Sequence, residues 1–398
     1  NKCAAKHNLV CLLHEKPFAG VNGSGKHNNW SLATDTGKNL FSPGKTPRQN
    51  AQFLVFLAAF IQGVDEYQDF LRCTVAYAGN DPRLGASEAP PAIVSVFLGD
   101  ELNGVVQSII HGSNYQEPGK SVLRIGVDGI PAIPQDTTDR NRTSPLAFTG
   151  NKFEFRMLGS SQSVAGPNIA LNTIMAEQLC RFADALEGAE DFEATLQQIV
   201  SRALSQHQRV IFDGNGYAGE WKQEAARRGL SNYPSTAEAL PSYVSDKNID
   251  LVVRHGIFNE SEFRARYCIH LESYRKVVNI EARTMLDMAT HQILPAASAY
   301  ARELCDAAAA KKAMGAPCRS ELDLIEQLSR NQDALYARLQ QLTQELKAIP
   351  ADPKEAAQYC RHVVIASMDA IRASADRLEE LTAKKYWPFP TYSDLLFY

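Results

Sequence analysis

Apolar residues along this chain follow two periods, one typical of helices and one typical of strands. After Thr46-Pro47 they recur at three-to-four-residue spacing, which predicts an amphipathic helix. Its apolar positions are Phe53, Phe56, Leu57, Phe60, Ile61, Val64 and Tyr67. The segment Phe153 to Met157 instead alternates large apolar and charged side chains, which predicts a half-buried strand with Glu154 and Arg156 on one face.

Helical patterns dominate after Gly166-Pro167. The ranges 169–187 and 192–211 read as amphipathic helices, and 92–110 is apolar with helical spacing. Asn259-Glu-Ser-Glu262 is a capping-box pattern that predicts the start of another helix. Nearly everything beyond Glu281 is helical in pattern. The sequence therefore predicts an α+β fold whose strands lie in its first part.

A heptad pattern near the end of the chain predicts a long helical hairpin. The first helix has Ile325, Leu328, Leu335, Leu339, Leu342, Leu346 and Ile349 at a/d positions, and Gln332 is the one polar member. Pro350 to Pro353 ends it, with Asp352 as the N-cap of the next helix. That helix continues the heptad with Val364, Met368, Ile371, Ala375 and Leu378. An antiparallel pair of this length extends about 40 Å at 1.5 Å per residue.

The stretch from Asn22 to Ser31 combines turn-forming glycines with an imidazole and amides. Gly20 followed by Gly25-Lys26 has the spacing of a phosphate loop, but that loop needs Ser or Thr next, and His27 stands there. The better interpretation is a strand over Leu9–Leu13, a glycine turn, and a second strand. The second strand projects His27 and Asn29 into a site, and imidazole is a common metal ligand.

A second candidate segment is rich in small residues. Gly79 to Pro91 is dense in Gly, Pro, Ala and Ser, which predicts a mobile loop. Arg83 and Glu88 lie in it. Arginine suits anion binding because its planar fork stays charged and meets carboxylate or phosphate oxygens in pairs. A mobile carboxylate such as Glu88 suits closure over a reactive intermediate.

Composition narrows the class of protein. The 398 residues are enough for two or three domains. There are 41 basic and 45 acidic residues, a net charge of −4, with no basic block, so nucleic acid is not expected as a partner. Apolar runs are too short for a membrane span, and the opening lacks the apolar centre of a signal peptide. The eight cysteines are scattered, which favours reduced thiols and a cytoplasmic protein.

Four motifs in order resemble the glutamine synthetase superfamily, and the whole chain resembles its type III branch. They are Lys16 to Leu32 (containing Asn22-Gly-Ser-Gly-Lys-His27), Asn80 to Pro91, Asn141 to Pro145, and Lys152 to Arg156. The similarity continues through Asn215-Gly-Tyr217 and Arg254-His-Gly256. The resemblance implies that residues 1–175 form the later half of the catalytic domain, with a curved antiparallel sheet lining the active site. Residues 176–398 would then form a mostly helical domain that contains the hairpin at 320–385.

The resemblance also implies a reaction and its residues. ATP phosphorylates the side-chain carboxylate of L-glutamate, and ammonia displaces phosphate to give glutamine, with Mg²⁺ or Mn²⁺ required. The implied roles are metal binding by His27 and Glu154, glutamate binding by Asn22, Gly23, Arg83 and Arg156, nucleotide binding by Asn29, Ser31, Arg142 and Lys152, and catalysis by Glu88 and Arg142. The partners would be L-glutamate, ammonia, ATP and further copies of the chain, as a dodecamer of two hexameric rings.

The chain also departs from the family pattern. A second arginine expected just past Arg142 is replaced by Ala147 and Phe148, and Lys152 is its candidate substitute. The chain opens with Asn1, whereas family members have a β-grasp domain and further metal-ligand glutamates before the His27 signature. We therefore expect a C-terminal portion of a longer polypeptide that is inactive by itself. Two alternatives stay open: a γ-glutamyl-amine or guanido-phosphotransfer relative, and a non-catalytic assembly module.

Overall fold

The computed structural model describes residues 2–9, 11, 13–18, 20–85, 89–113, 122–123, 133–134, 143–391 and 394. By the density of its internal contacts the chain divides into two compact units, Asn1–Tyr267 and Cys268–Tyr398. All described strands belong to the first unit, and the regular elements described in the second are helices.

The first unit contains a small mixed sheet. The described strands of this unit are β1 (Gly25–Trp30), β2 (Val96–Phe97), β3 (Val122–Leu123), β4 (Ile133–Pro134), β5 (Leu146–Phe148) and β6 (Phe153–Gly159). Four of them form a sheet in the order β1-β6-β5-β2, and β3 pairs with β4 separately. The α+β class is confirmed, and β6 pairs antiparallel with both β1 and β5 as expected, whereas β2 and β5 run parallel. The long chain between them, which includes a helix, allows that crossover.

Helices account for most of the other regular structure of the first unit. They are α1 (Lys2–Lys6), α2 (Ala51–Glu66), α3 (Gln68–Cys73), α4 (Asp100–Ile110), α5 (Ala165–Glu187), α6 (Phe192–His207), α7 (Gly219–Arg227), α8 (Thr236–Ala239), α9 (Asp246–Arg254) and the first part of α10 (Glu260–Met288). The helix predicted over 92–110 is wrong in its first half. There β2 comes first, and Gly99 turns the chain with a φ of 81° before α4 begins.

An aromatic cluster packs one face of β1 and β6 against α2. Phe60 of α2 stacks on Phe153 of β6 with ring centroids 3.7 Å apart, and Phe41 meets Phe153 edge-on at 5.3 Å. Trp30 of β1 stacks on Phe60, and its indole N–H donates to Asn172 Oδ1 at 2.9 Å. Side chains alternate along a strand. The opposite face of β1 and β6 is therefore available for polar side chains.

The strand expected over Leu9–Leu13 is not found. Leu9, Cys11 and Leu13 lie outside any strand, and Leu9 and Leu13 are 54% and 70% exposed. Val10 and Leu12 fall outside the described residues. The described sheet pairs β1 with β6, from much later in the chain, and the described residues of the apolar run take no part in it. The local apolar pattern alone did not establish a strand.

The second unit contains the predicted hairpin. Its helices are the remainder of α10, then α11 (Leu294–Ala313), α12 (Arg319–Lys347), α13 (Pro353–Tyr359) and α14 (Ile365–Leu381), with single π-helical turns at Ala289–Ile293 and Cys360–Val364. Helix α12 packs against both α14 and α11. Gln332, the polar heptad member, donates to Ser298 Oγ of α11 at 2.8 Å. This contact with a third helix explains why a polar residue stands at that heptad position.

Two predicted helix starts are also confirmed. Asn259 and Glu262 exchange side-chain and backbone hydrogen bonds at 3.0 and 2.9 Å ahead of α10. Asp352 accepts from the backbone N–H of Lys354 and Glu355 at 3.0 and 2.9 Å ahead of α13. Within the described parts of the chain, no helix has both the length and the apolar character that crossing a membrane requires.

Candidate active site

The pairing of β1 with β6 brings together residues that are far apart in sequence. Asn29 of β1 lies opposite Glu154 of β6. The register then shifts, since Lys26 pairs with Leu158 and Asn28 with Phe155, so β6 has one extra residue opposite His27. A bulge of this kind bends the strand and redirects side chains. His27 lies two residues before Asn29, so it shares with Glu154 the face that the aromatic core leaves open.

His27 and Glu154 form the centre of this candidate site. Nδ1 of His27 lies 3.7 Å from Oε2 of Glu154, and their side chains are 55% and 20% exposed. Two donors that each bind one ion at about 2.0–2.2 Å lie about 3–4 Å apart, so this pair fits two ligand positions of a divalent cation. Among the described residues no group of three or more His, Cys, Asp or Glu could hold a metal. His27 and Glu154 thus bring together two candidate ligands.

Arg156 fixes the position of the Glu154 carboxylate. Its Nη2 and Nε donate to Glu154 Oε2 at 2.9 and 3.1 Å. Arg156 is 3% exposed, so this pair is screened from water far better than a surface ion pair. The strand places the two side chains on one face, as the alternating pattern predicts. A permanent positive charge therefore lies beside the candidate cation ligands.

Arg83 lies behind the same strand and is engaged by the backbone. Its guanidinium donates to the carbonyls of Met157 at 3.2 Å and Arg156 at 3.1 Å, and to Asn80 Oδ1 at 3.3 Å. Burial lowers the pKa of Arg83, and the nearby Glu15 carboxylate opposes that effect. The guanidinium also contacts Gly25 so closely that a Cβ there would lie 2.0 Å from Nη2. Arg83 thus joins the loop at 79–85 to the bulged part of β6.

Glu15 is a buried acid that the sequence analysis did not single out. It is 3% exposed, and its Oε1 accepts from Ser161 N at 2.9 Å and from Ser161 Oγ. Burial by itself raises the pKa of Glu15, but the hydrogen bonds from Ser161 outweigh burial and hold it below the ordinary value. Its backbone carbonyl accepts from Ser24 at 2.7 Å, which closes the glycine turn. The only sequence signal was an acid placed between an apolar run and that turn.

The remaining predicted residues lie at the two ends of the β1–β6 pair. Ser31, just after β1, donates to the carbonyl of Asn151 at 2.9 Å, and Lys152, just before β6, is half-buried. At the other end Asn22 is exposed, and Gly23 is half-buried in the turn. Ser31 and Lys152 therefore share one end of the strand pair, and Asn22 and Gly23 share the opposite end. Glu88 and Arg142 lie outside the described residues.

Two family models match the chain in separate stretches. The glutamine synthetase catalytic domain matches residues 1–78, and the glutamine synthetase C-terminal domain matches residues 195–312. The first stretch contains the glycine turn and β1, and the second begins within α6 and ends within α11. The catalytic-domain match thus precedes the C-terminal-domain match along the chain.

Curated relatives match over nearly the whole of this chain. A type-3 glutamine synthetase from Dictyostelium discoideum is 44% identical over 99% of the chain and 55% of its own length. Glutamine synthetases from Butyrivibrio fibrisolvens and Bacteroides fragilis (strain YCH46) are 43% and 40% identical over all of the chain, and it covers 57% and 56% of their lengths. The chain thus spans about half the length of these relatives.

Proposed function

The chain belongs to the glutamine synthetase family, and from that membership we propose that the full-length protein ligates ammonia to L-glutamate. ATP would phosphorylate the γ-carboxylate of glutamate, and ammonia would displace phosphate from the γ-glutamyl phosphate. The products are glutamine, ADP and phosphate. The observation that carries this proposal is the placement of His27, Glu154 and Arg156 on one open sheet face.

The open face contains the charges that such a reaction needs. We assign His27 and Glu154 to a divalent cation, Mg²⁺ or Mn²⁺, which when bound neutralises phosphate charge. Arg156 lies next to Glu154 and is assigned to the glutamate side-chain carboxylate. A guanidinium held in place before the substrate arrives stabilises developing negative charge without reorganising. Arg83 is assigned to the glutamate α-carboxylate, although its present contacts are with the backbone of β6.

Substrate contacts are assigned along the length of the strand pair. Asn22 and Gly23 at the glycine turn would contact glutamate, and Asn29 and Ser31 the nucleotide. Asn29 is supported by its exposed position directly opposite Glu154. Lys152 and Arg142 are assigned to the phosphates, and Glu88 to closure over the intermediate and to removal of a proton from ammonium. The assignments of Arg142 and Glu88 rest on the sequence motifs.

The reaction is tested with the full-length protein in a coupled assay for phosphate release and glutamine formation. We expect glutamate-dependent ATP hydrolysis that yields glutamine with ammonium as the amine. Methylamine, ethanolamine and a guanidino compound serve as competing acceptors. Preference for an organic amine would identify a γ-glutamyl-amine relative instead. Absence of any ATP-dependent transfer would identify an assembly module.

The metal assignment is tested by His27→Ala and Glu154→Gln in the full-length protein. Each change removes one donor, so Mn²⁺ should bind about tenfold more weakly or worse, as followed by electron paramagnetic resonance. His291→Ala is the matched control, because His291 lies 3.8 Å from Asp287 with both side chains exposed on a helix. Unchanged Mn²⁺ titrations in the first two variants would rule out the ligand assignment.

We propose further that the protein is cytoplasmic and forms a dodecamer of two hexameric rings. The eight cysteines, all within the described residues, are free thiols, which fits a reducing compartment. Membership of the family is what supports the proposed dodecamer. Mass photometry of the full-length protein at several concentrations measures the assembly directly, and a stable dimer or monomer would contradict it.

A further inference from the structure

A cavity of about 340 Å³ opens in the first unit away from the candidate active site. Three arginines and one glutamate supply its charged lining, Arg209, Arg227, Arg228 and Glu224, and Gln107 and Gln208 add carboxamides. None of the residues assigned to the β1–β6 face belongs to this lining. The cavity therefore has its own chemistry, and positive charge predominates in it.

Arg228 is fixed in place on several sides. Its Nε donates to Glu224 Oε1 at 2.6 Å, and its Nη1 donates to the carbonyl of Ile211 at 2.9 Å. The guanidinium carbon lies 5.5 Å from the Trp221 ring centroid, and Trp221 stacks on Phe212 at 3.7 Å. A cation held over an aromatic face within about 6 Å is stabilised there. Arg228 is thus oriented by the fold itself.

Arg227 and Arg209 line the cavity together with Arg228, and each is held by a carboxylate. Arg227 donates through Nε and Nη2 to both oxygens of Glu224 at 2.7 Å. Arg209 donates through Nε to the buried Asp65 carboxylate at 2.8 and 3.0 Å, and His207 contacts the same carboxylate at 2.8 Å. Asp65 is 3% exposed, so its charge lies behind Arg209 rather than in the cavity.

These bonds leave donors available in the cavity. Nη1 of Arg227 and the Nη2 atoms of Arg228 and Arg209 have no hydrogen-bond partner among the described residues. Glu224 is the only acid among the described residues of the lining, and the two arginines that bond to it lower its pKa to about 2. Three guanidinium groups against one carboxylate leave the lining with excess positive charge. Arginine forks match the geometry of phosphate and carboxylate oxygens.

We propose that this cavity binds a small organic polyanion, a compound with a phosphate group or with at least two carboxylates. The anion would accept from the free guanidinium nitrogens of Arg209, Arg227 and Arg228. The carboxamide oxygens of Gln107 and Gln208 would accept from hydroxyl or amino groups on the same ligand. This site is separate from the proposed catalytic reaction and does not depend on it.

The test titrates citrate and pyrophosphate into the full-length protein by isothermal calorimetry. EDTA removes metal ions, and sodium chloride holds the ionic strength constant. Arg227→Gln removes one free donor and one charge from the cavity rim. Arg264→Gln is the matched control, because Arg264 is an exposed arginine paired with Glu260 at 2.8 Å on a helix outside the cavity. We expect the control to bind like the parent and Arg227→Gln to bind about tenfold more weakly.

A second variant keeps the test decisive if Arg227→Gln folds poorly. Gln208→Glu keeps the shape of the side chain but adds a carboxylate to the lining, so it should also weaken both anions by about tenfold. The relative response to citrate and pyrophosphate separates carboxylate from phosphate ligands. Equal affinities in the cavity variants and in Arg264→Gln would place the bound anion elsewhere. Absence of saturable binding in the parent would overturn the proposal.

Discussion

Glycines near the candidate site are required by the side chains that pack against them. Gly25 makes room for the Arg83 guanidinium, and a Cβ at Gly159 would lie 3.0 Å from Glu15 Cγ. Arg83 and Glu15 are both buried, so neither side chain can move into solvent without losing its hydrogen bonds. Gly25 and Gly159 thus do more than bend the chain. They permit a charged side chain to reach the backbone of β6.

Gly25→Ala tests this packing. The added Cβ would lie 2.0 Å from Arg83 Nη2, and displacing the guanidinium would break bonds to Met157, Arg156 and Asn80. We expect a loss of about 1–3 kcal/mol in the free energy of unfolding, because buried donors would be left unpaired. Urea denaturation measures it.

The control for that experiment is Gly219→Ala at the start of α7. No atom lies within 4 Å of a Cβ built there. Alanine is also the better helix former, so this change should be neutral or stabilise by up to about 1 kcal/mol. A similar effect of both substitutions would show that Arg83 relaxes without cost.

Sequence reasoning at this scale succeeded where the signal was local. Period-two alternation placed Glu154 and Arg156 on one face, and the glycine turn drew attention to His27. Glu15 was missed because its partner, Ser161, lies far along the chain and no local pattern connects them. The hydrogen bonds from Arg83 to the backbone of β6 could not be predicted either, because the bulge in β6 results from its pairing with β1.

Glu177 joins two helices of the first unit. It lies in α5 and is 2% exposed, and its carboxylate accepts from Arg254 at 2.6 Å and contacts His255 Nε2 at 2.8 Å at the end of α9. Arg181, one turn along α5, adds a further bond at 2.9 Å. Burial raises the pKa of Glu177, but the bond to His255 and the two arginines outweigh burial and lower it. The ionised form is therefore the one that holds α5 to α9.

Glu177→Gln should weaken this connection in a pH-dependent way. Because the folded-state pKa is lowered, the carboxylate stabilises the fold above its ordinary pKa of 4.5 and loses that contribution as the pH falls through the folded value. At pH 7 we expect a deficit of about 1–3 kcal/mol relative to the parent. Thermal unfolding is followed from pH 7 to pH 4. The difference in stability between the parent and Glu177→Gln should stay constant down to about pH 5 and then become smaller.

The matched control is Glu272→Gln, since Glu272 pairs with Lys276 at 3.2 Å on an exposed helix face. Such a pair contributes at most about 0.5 kcal/mol. A gap for Glu177→Gln that stays constant below pH 4.5 would show that the carboxylate charge is not the source of its stabilisation.

The hairpin of the second unit depends on its buried leucines. Leu335 of α12 is fully buried, whereas Leu322 of the same helix is 54% exposed. Leu335→Ala should cost about 2–5 kcal/mol because it leaves a cavity in the seam, and Leu322→Ala should cost less than about 1 kcal/mol. Circular dichroism during urea unfolding measures both. Equal costs would indicate that the seam does not hold the hairpin together.

Helices and strands over which apolar residues recur with a regular period could be predicted, and very short elements could not. The heptad of α12 extends over many turns, so its partner helix and its end shortly before Pro350 could be inferred. Strands β2 and β5 have two and three residues, too few to show alternation, and their parallel pairing is made by long-range contacts. The apolar residues before β2 therefore resembled a helix in pattern, because buried strands and helices share apolar runs.

At the scale of the whole molecule, the candidate site combines residues from distant motifs. The β1–β6 face brings together two candidate cation ligands and the buried Arg156, and the chain covers about half the length of its curated relatives. A reaction with a γ-glutamyl phosphate needs one further function, which is exclusion of water until ammonia arrives. We assign that function to Glu88, which follows Arg83 in the same motif. Arg83 ties the start of this motif to β6, so closure there would act next to the reacting groups.

Glu88→Ala in the full-length protein should separate phosphorylation from amide formation. Glutamate-dependent ATP hydrolysis should continue, because the cation ligands and arginines are unchanged. The acyl phosphate should then react more with water and less with ammonia, so the ratio of glutamine formed to ATP hydrolysed should fall well below that of the parent. Glu190→Ala, which removes an exposed acid from the segment between α5 and α6, should keep the parental ratio. If Glu88→Ala keeps that ratio as well, Glu88 is an ordinary surface acid, and water must be excluded by other residues of the protein.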